Sequence, residues 1–204
     1  MQPFTIIITG PPGSGKGTQA KLLEQFLRKR DPKRRSVSFS TGEGFRAVVQ
    51  KQSYSSQLMR EILDQGGLLP EFLAIWLWTG IFMEKLEGNE HIITDGFPRR
   101  PLEGQVLDSA FVFYRRTMPY ILNLRLTEEQ AVERLGARKM KEGRADDRVT
   151  ALGERFKLYR EQTLPTIEMF RGNPRYRFHD IDGAQSVEKV HHDILHALHL
   201  SLNQ

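Results

Sequence analysis

The chain predicts an α/β fold, a doubly wound five-stranded parallel sheet flanked by helices. Three observations point there. Short β-branched runs alternate with segments of helical periodicity along all 204 residues. The first run, FTIIIT, passes directly into the glycine-rich stretch GPPGSGKGT at 10–18 and then into the helix-like QAKLLEQFL. A chain of this length, 39% hydrophobic and 27% charged, sustains one sizeable core but not two large domains.

Element by element, the β-branched run predicts a first strand over 4–9, and the loop opens a helix over 15–28. RKRDPKRR, broken by Asp31-Pro32, ends that helix in a turn. A second strand over 37–40 leads into helices over 42–50 and 56–65, the latter stopped by DQGGLLP. Pro70 suits a first helical turn and begins a helix over 70–86. The apolar core of that helix, FLAIWLWTGIFMEKL, is too short to span a bilayer and ends in charges. It reads as a buried helix, with Trp76 and Trp78 both in the core. HIITD gives a strand over 91–95, followed by a helix over 101–114, a strand over 120–124 and a helix over 127–141. One long helix over 147–170, a strand over 176–181 and a final helix over 186–200 complete the series. In such sheets ligands bind beyond the carboxyl ends of the strands.

Composition narrows the classes of function. There is no cysteine, which excludes disulfides and thiolate-bound zinc and suits a cytoplasmic location. The amino-terminal MQPFTIIITG lacks the charged lead and long apolar run of a secretion signal. The formal charge of +5 is compatible with nucleic acid, a membrane surface or a polyanionic small substrate. The densest basic run, Arg28 to Arg35, reads as a solvated helix end and turn, with targeting or RNA binding as the alternative. No aromatic RNA-binding motif accompanies it, so neither nucleic acid nor a membrane is expected as a partner.

GPPGSGKGT follows a strand and opens a helix, the context that a phosphate-binding loop requires. Gly10, Gly13 and Gly15 allow positive φ and close backbone approach. Their amides and the helix amino terminus then face an anion, and Lys16 brings positive charge to the outer phosphates. Many such loops place Ser or Thr directly after the lysine as a Mg²⁺ ligand; this chain has Gly17 there, then Thr18. The pattern resembles the nucleoside monophosphate kinases and, among them, the adenylate kinases. Two further strings are similar to that family: STGEGFR at 40–46 and DGFPR at 95–99. DQGGLLP at 64–70 matches a third family segment.

The resemblance covers almost the whole chain and implies the following expectations. The fold is that of the P-loop NTPases, with an acceptor-binding segment over about 40–70 and a short lid over about 134–148. ATP is held by Gly13, Ser14, Gly15, Lys16, Gly17 and Thr18, with Arg134 and Arg138 across the lid and the backbone near Gln185 at the adenine. AMP is held by Thr41, Arg46, Gly67, Leu68, Leu69, Gly96, Phe97, Pro98 and Arg99. Asp95 organises Mg²⁺ through water, although a bare Asp-Gly is also an ordinary turn. The family places a base-pairing Gln four residues after the arginine of DGFPR. Here that position is Glu103, with Gln105 two residues further on, so either Glu103 or Gln105 meets the base. Glu103 is otherwise a helix-surface acid. Gly44 and Phe45 depart from the usual pair of leucines.

Arg134, Arg138, Arg144 and Arg155 occupy the most charged part of the chain. As a generic pattern they read as a solvated helix pair; their spacing around GRADD is similar to the family's lid. Asp146 and Asp147 either pair with those arginines or simply start a helix. The implied catalytic set is Lys16, Arg99, Arg138, Arg144 and Arg155, with Arg144 and Arg155 also touching AMP. KMKEG stands where longer lids insert a zinc-binding subdomain, so no zinc is expected. His192, His196 and His199 share a helix face with surface positions beside Val190, Ile194 and Leu198; a metal site there lacks supporting acids. The resemblance therefore implies phosphoryl exchange between ATP and AMP giving two ADP, by a monomer. A UMP/CMP or broad-specificity kinase of the same fold, a basic nucleic-acid-stimulated ATPase and a non-catalytic nucleotide sensor are the alternatives.

Overall fold

The computed structural model describes residues 2–142 and 149–200, with side chains outside 138–150. Five parallel strands run β1 Thr5–Thr9, β2 Ser36–Ser40, β3 His91–Asp95, β4 Tyr120–Arg125 and β5 Arg177–Asp182. They lie in the order β2-β3-β1-β4-β5. Each expected strand is present within one residue of its expected ends. Ile6, Ile7, Ile8, Ile92, Ile93 and Leu122 are essentially inaccessible, because helices cover both faces of the sheet.

The register aligns the chemistry. Ile8 pairs with Asp95, Ser40 also pairs with Asp95, and Thr9 pairs with Asn123. The strand ends that lead into the glycine loop, into STGEGFR and into DGFPR therefore finish at one level. β1 departs toward β2 while its neighbour β3 departs toward β4, so a crevice opens between them at the carboxyl edge.

Helix α1 (Lys16–Arg30) and the last helix, α9 (Val187–Ala197), cover one face of the sheet through Leu23, Leu27, Val190, Ile194 and Leu195. Helices α4 (Glu71–Lys85), α5 (Pro101–Phe113) and α8 (Leu164–Arg171) cover the other around Trp78, Phe82, Leu107, Phe111 and Phe170. Helices α2 (Thr41–Val49) and α3 (Tyr54–Asp64) share a smaller core with the start of α4, built on Phe45, Val49, Met59, Leu69 and Ala74. Gly44 permits this contact: a Cβ there would meet Leu77 Cδ2 at 2.6 Å. Helices α6 (Glu128–Glu142) and α7 (Val149–Leu158) meet through Ala131, Leu135, Leu152 and Phe156. Among the described residues no helix is long and apolar enough to cross a membrane.

Three expectations are corrected. The long helix over 147–170 is continuous over its described part but not uniform: α7 runs through a π-turn at Tyr159–Thr163 into α8. Pro165 lacks an N–H and its ring crowds the carbonyl of residue 161, and the wider turn relieves both. Trp76 is not in the core. Trp78 is inaccessible whereas Trp76 is 56% exposed, because α4 is apolar on every side and only one side faces the sheet. The basic run is not simply solvated either. Arg34 is largely covered, bonding Asp31 Oδ2 at 2.9 Å and Asn89 O at 2.8 Å, and Arg35 donates to Lys85 O.

Candidate active site

At the carboxyl edge a cleft of about 650 Å³ runs between the glycine loop, α2–α3, the DGFPR segment and α6–α7. A smaller cavity of about 350 Å³ adjoins it at Gly13, Gly15, Thr18 and Arg134 and is closed by Gln185, Ser186 and Val187.

The loop's shape is dictated by its glycines. Gly10 has φ 139°, and a Cβ on it would lie 2.4 Å from Leu124 O. Gly13 has φ 81°, and its Cβ would press on Ala131 O at 2.9 Å. With Gly15 as the left-handed residue before α1, the helix amino terminus points into the cleft. Lys16 curls back over the loop. Its Nζ donates to Pro11 O at 2.7 Å, Gly10 O at 3.0 Å and Ser14 Oγ at 3.3 Å.

Gly17 has a local reason. A Cβ there would lie 3.2 Å from Asp95 Oδ2, so a Ser or Thr would crowd the carboxylate that β3 delivers. Asp95 is buried, and its Oδ1 has no hydrogen-bond partner. Burial pushes this carboxyl up, while Lys16 and Arg99 beside it oppose the shift. An orphaned carboxylate oxygen next to a phosphate loop fits a hydrated divalent cation. Among the described residues no cluster of three His, Asp or Glu could hold a metal, so most ligands of such a cation must come from water and bound phosphate.

On the far side, Thr41 Oγ1 donates to Gly96 O at 3.0 Å and is buried. The Phe97–Pro98 peptide is cis. Arg99 Nε donates to Gly96 O at 2.6 Å, and its own backbone N–H donates to Glu103 Oε2 at 2.8 Å. Arg46, Arg99, Arg134 and Arg155 all line the main cleft, with Lys16, Asp95, Gly96, Pro98, Gly67 and Leu68. Arg134 is also anchored: its guanidinium bonds the carbonyls of Gly183, Ala184 and Gln185 at 2.7–3.2 Å. That fork fixes the turn that walls the smaller cavity. Gln185 donates to Asp193 Oδ2 at 3.0 Å and to Asp182 O at 3.2 Å.

Several expected positions lie elsewhere. Glu103 is buried rather than a surface acid, and it is spent on the Arg99 amide; Gln105 is exposed on α5; neither lines the cleft. Burial pushes the Glu103 carboxyl up, and the bond from Arg99 and the nearby Arg99 and Arg100 charges oppose this. Leu69 and Phe97 belong to the cores and hold the cleft wall from behind. The side chain of Arg138 and the whole of Arg144, Asp146 and Asp147 lie outside the described residues. Other residues enter the cleft unannounced: Phe45, Val49 and Gln50 from α2, Arg60, Leu63 and Asp64 from α3, and Tyr159 and Thr163 from the π-turn. The α3 set shares one helix face at i, i+3 and i+4, a signal visible in the sequence once the cleft's location is known. Gly66 closes that corner, since a Cβ there would collide with Ala151 O at 2.4 Å.

The site thus joins a cationic, amide-rich loop to a second cationic pocket. Comparison with known proteins agrees. The family model for adenylate kinase matches residues 8–174. The adenylate kinase of Cyanothece sp. is 34% identical over 94% of this chain and 93% of its own length. That of Parvibaculum lavamentivorans is 31% identical over 91% and 87%, and that of Azobacteroides pseudotrichonymphae 31% over 94% and 95%.

Proposed function

Since the chain belongs to the adenylate kinase family, we propose that it transfers the terminal phosphoryl group of MgATP to AMP, reversibly, giving two ADP. The observation that carries this is the convergence of Lys16, Arg46, Arg99, Arg134 and Arg155 on one cleft that a smaller cavity adjoins beside Gln185. ATP lies along the loop of Gly13 to Thr18, with its base toward Gln185. AMP lies between Arg46, Gly67, Leu68 and the Gly96–Arg99 turn. The acceptor-binding segment is about 40–70 and the lid about 134–148, and Arg138 and Arg144 are assigned to the migrating group by the family resemblance alone.

The chemistry is electrostatic. The second phosphate pKa is near 6, so the AMP phosphate is already an ionised nucleophile at neutral pH. No general base is needed, and none of the six histidines lines the cleft. Two like-charged phosphate chains must be brought end to end. Guanidinium forks bind their oxygens bidentately and offset that repulsion, most strongly as charge spreads in the transition state. Mg²⁺, when bound beside Asp95, neutralises part of the nucleotide charge. Excluding water from the closed cleft keeps ATP from simple hydrolysis.

The test is turnover of purified protein with MgATP and a panel of AMP, CMP, UMP and GMP. AMP should be the best acceptor, and a preference for CMP would overturn the assignment. Broader acceptor choice is the second reading, favoured by the withdrawal of Glu103 from the cleft.

Glu103 has another consequence. Removing its carboxylate leaves the Arg99 amide without its acceptor, and an unmet buried hydrogen bond costs about 1–3 kcal/mol. Glu103→Ala should lower urea stability by that amount and raise the AMP KM more than the ATP KM. Equal effects on both nucleotides would show that Glu103 does not position Arg99.

A further inference from the structure

Helices α4 and α5 lie side by side and run in the same direction. Arg100 Nη1 meets Glu71 Oε2 at 3.1 Å where both helices start, and Tyr114 Oη meets Met83 Sδ at 3.5 Å where both end. Phe82 packs on Phe111 and Tyr114 between them. Outside this seam, Phe72, Trp76 and Met83 of α4 and Leu102 and Phe113 of α5 are half to three-quarters exposed. Phe72, Trp76 and Met83 follow the spacing of one helix face, and that face borders α5. Helix α4 has no charged residue between Glu71 and Glu84, and the outward positions Leu102, Ser109 and Phe113 of α5 are uncharged too. In a chain that is 27% charged, such a stretch is conspicuous.

These five side chains expose apolar area on the order of 700 Å², more than the roughly 300–600 Å² of the largest patch on a typical monomer. A standard specific interface takes about 800 Å² from each partner. The patch therefore has the size of one half of a protein interface.

We propose that this face joins two copies of the chain in a two-fold symmetric dimer. Three features favour a second copy. Trp76 projects from α4, and one turn further along the same face Gly80 leaves a gap: a Cβ there would meet nothing within 4 Å. A two-fold axis passing between them seats each copy's indole over the other's Gly80, the reciprocal contact an isologous interface requires. The axis also sets α4 antiparallel to its mate, so the Phe72–Leu102 end of one copy covers the Met83–Phe113 end of the other. Finally, the charges rimming the ends are compatible. Glu71 and Arg100 at one end face Glu84, Lys85 and Arg115 at the other, so both signs are available on each side. The proposed pairing departs from the monomer that the resemblance implies and leaves the nucleotide cleft, at the strand ends, accessible.

Sedimentation velocity of the full chain should show a dimer above about 10 µM. Trp76→Glu should weaken dimerisation by on the order of 100-fold, as loss of a central aromatic anchor does. Gly80→Phe separates this geometry from general stickiness. It adds apolar surface, so association through a merely greasy patch would strengthen, whereas filling the gap should block the indole and give a monomer. Both variants should keep the parent's kinase turnover and melt where the parent melts when diluted to a monomer, since neither residue touches the cleft. Co-sedimentation with phosphatidylcholine/phosphatidylglycerol vesicles tests a lipid occupant. A monomer at all concentrations, tighter association of Gly80→Phe, or Trp76-dependent vesicle binding by the monomer would each overturn the proposal.

Discussion

Lys16→Ala should lower kcat/KM for both directions of phosphoryl transfer by roughly 10³-fold, within the range seen when one preorganised cation or donor is removed from a phosphoryl or acyl transition state. The expected size follows from where the ammonium sits. Lys16 is the first residue of α1, so its charge adds to the amides and dipole of the helix start. Its Nζ already lies within the loop on Gly10 O, Pro11 O and Ser14 Oγ. On the proposed function, phosphate oxygens entering the loop compete with those carbonyls for an ammonium that the protein already holds there, which is the condition for strong electrostatic catalysis. Most of the loss should appear in kcat, because the β- and γ-phosphate charge that Lys16 meets changes during transfer while nucleotide binding retains the loop amides. Lys16→Arg should not restore activity: a planar fork does not fit where a compact ammonium is held by three oxygens. Steady-state kinetics with an equilibrium nucleotide titration check this. A fall in kcat/KM of less than about tenfold would remove the loop from the site of transfer.

The sheet and the loop were legible because each rests on local rules. A parallel sheet buried on both faces demands β-branched runs such as Ile6–Ile8, and a loop with φ of 139° and 81° demands glycine. What failed depended on neighbours distant in sequence. Helix α4 is apolar all round, so periodicity carried no information on which tryptophan faces the core, and packing against the sheet chose Trp78. Glu103 sits at the spacing of a base-reading side chain, but the turn after Pro98 brings the Arg99 amide to it first. The apolar floor of the cleft, Phe45, Val49 and Leu63, needed the approach of α2 to α3 and of α7 to Gly66. Arg34 looked solvated in a basic run and is covered because Asp31 and the 87–91 turn close over it.

That same corner should make the protein lose stability on mild acidification, by up to about 3 kcal/mol between pH 6.5 and pH 4. His91, the first residue of β3, is inaccessible. Its Nδ1 accepts the Phe4 N–H at 3.0 Å, its ring stacks on Phe4, and its Nε2 lies 3.7 Å from Asp31 Oδ2. Burial pulls its pKa down to about 4, and the Arg34 and Arg116 charges add to this while Asp31 partly opposes it. The unfolded chain binds this proton near pH 6.5, before the folded chain does. The contribution of His91 is therefore fully present above about pH 6.5 and is lost progressively as the pH falls toward 4. Protonating Nδ1 would also turn the Phe4 bond into two opposed donors. The depressed carboxyls of Asp31, Glu90 and Asp180 act at lower pH, below the usual carboxylate range. His179 and His191 are shifted in the same direction as His91 and contribute part of the slope. His91→Asn keeps an oxygen acceptor near the Phe4 N–H and cannot take up the proton. Urea unfolding across this range should show the variant less stable at pH 7 yet with a clearly flatter pH dependence; an unchanged slope would mean that His91 is not the group that titrates.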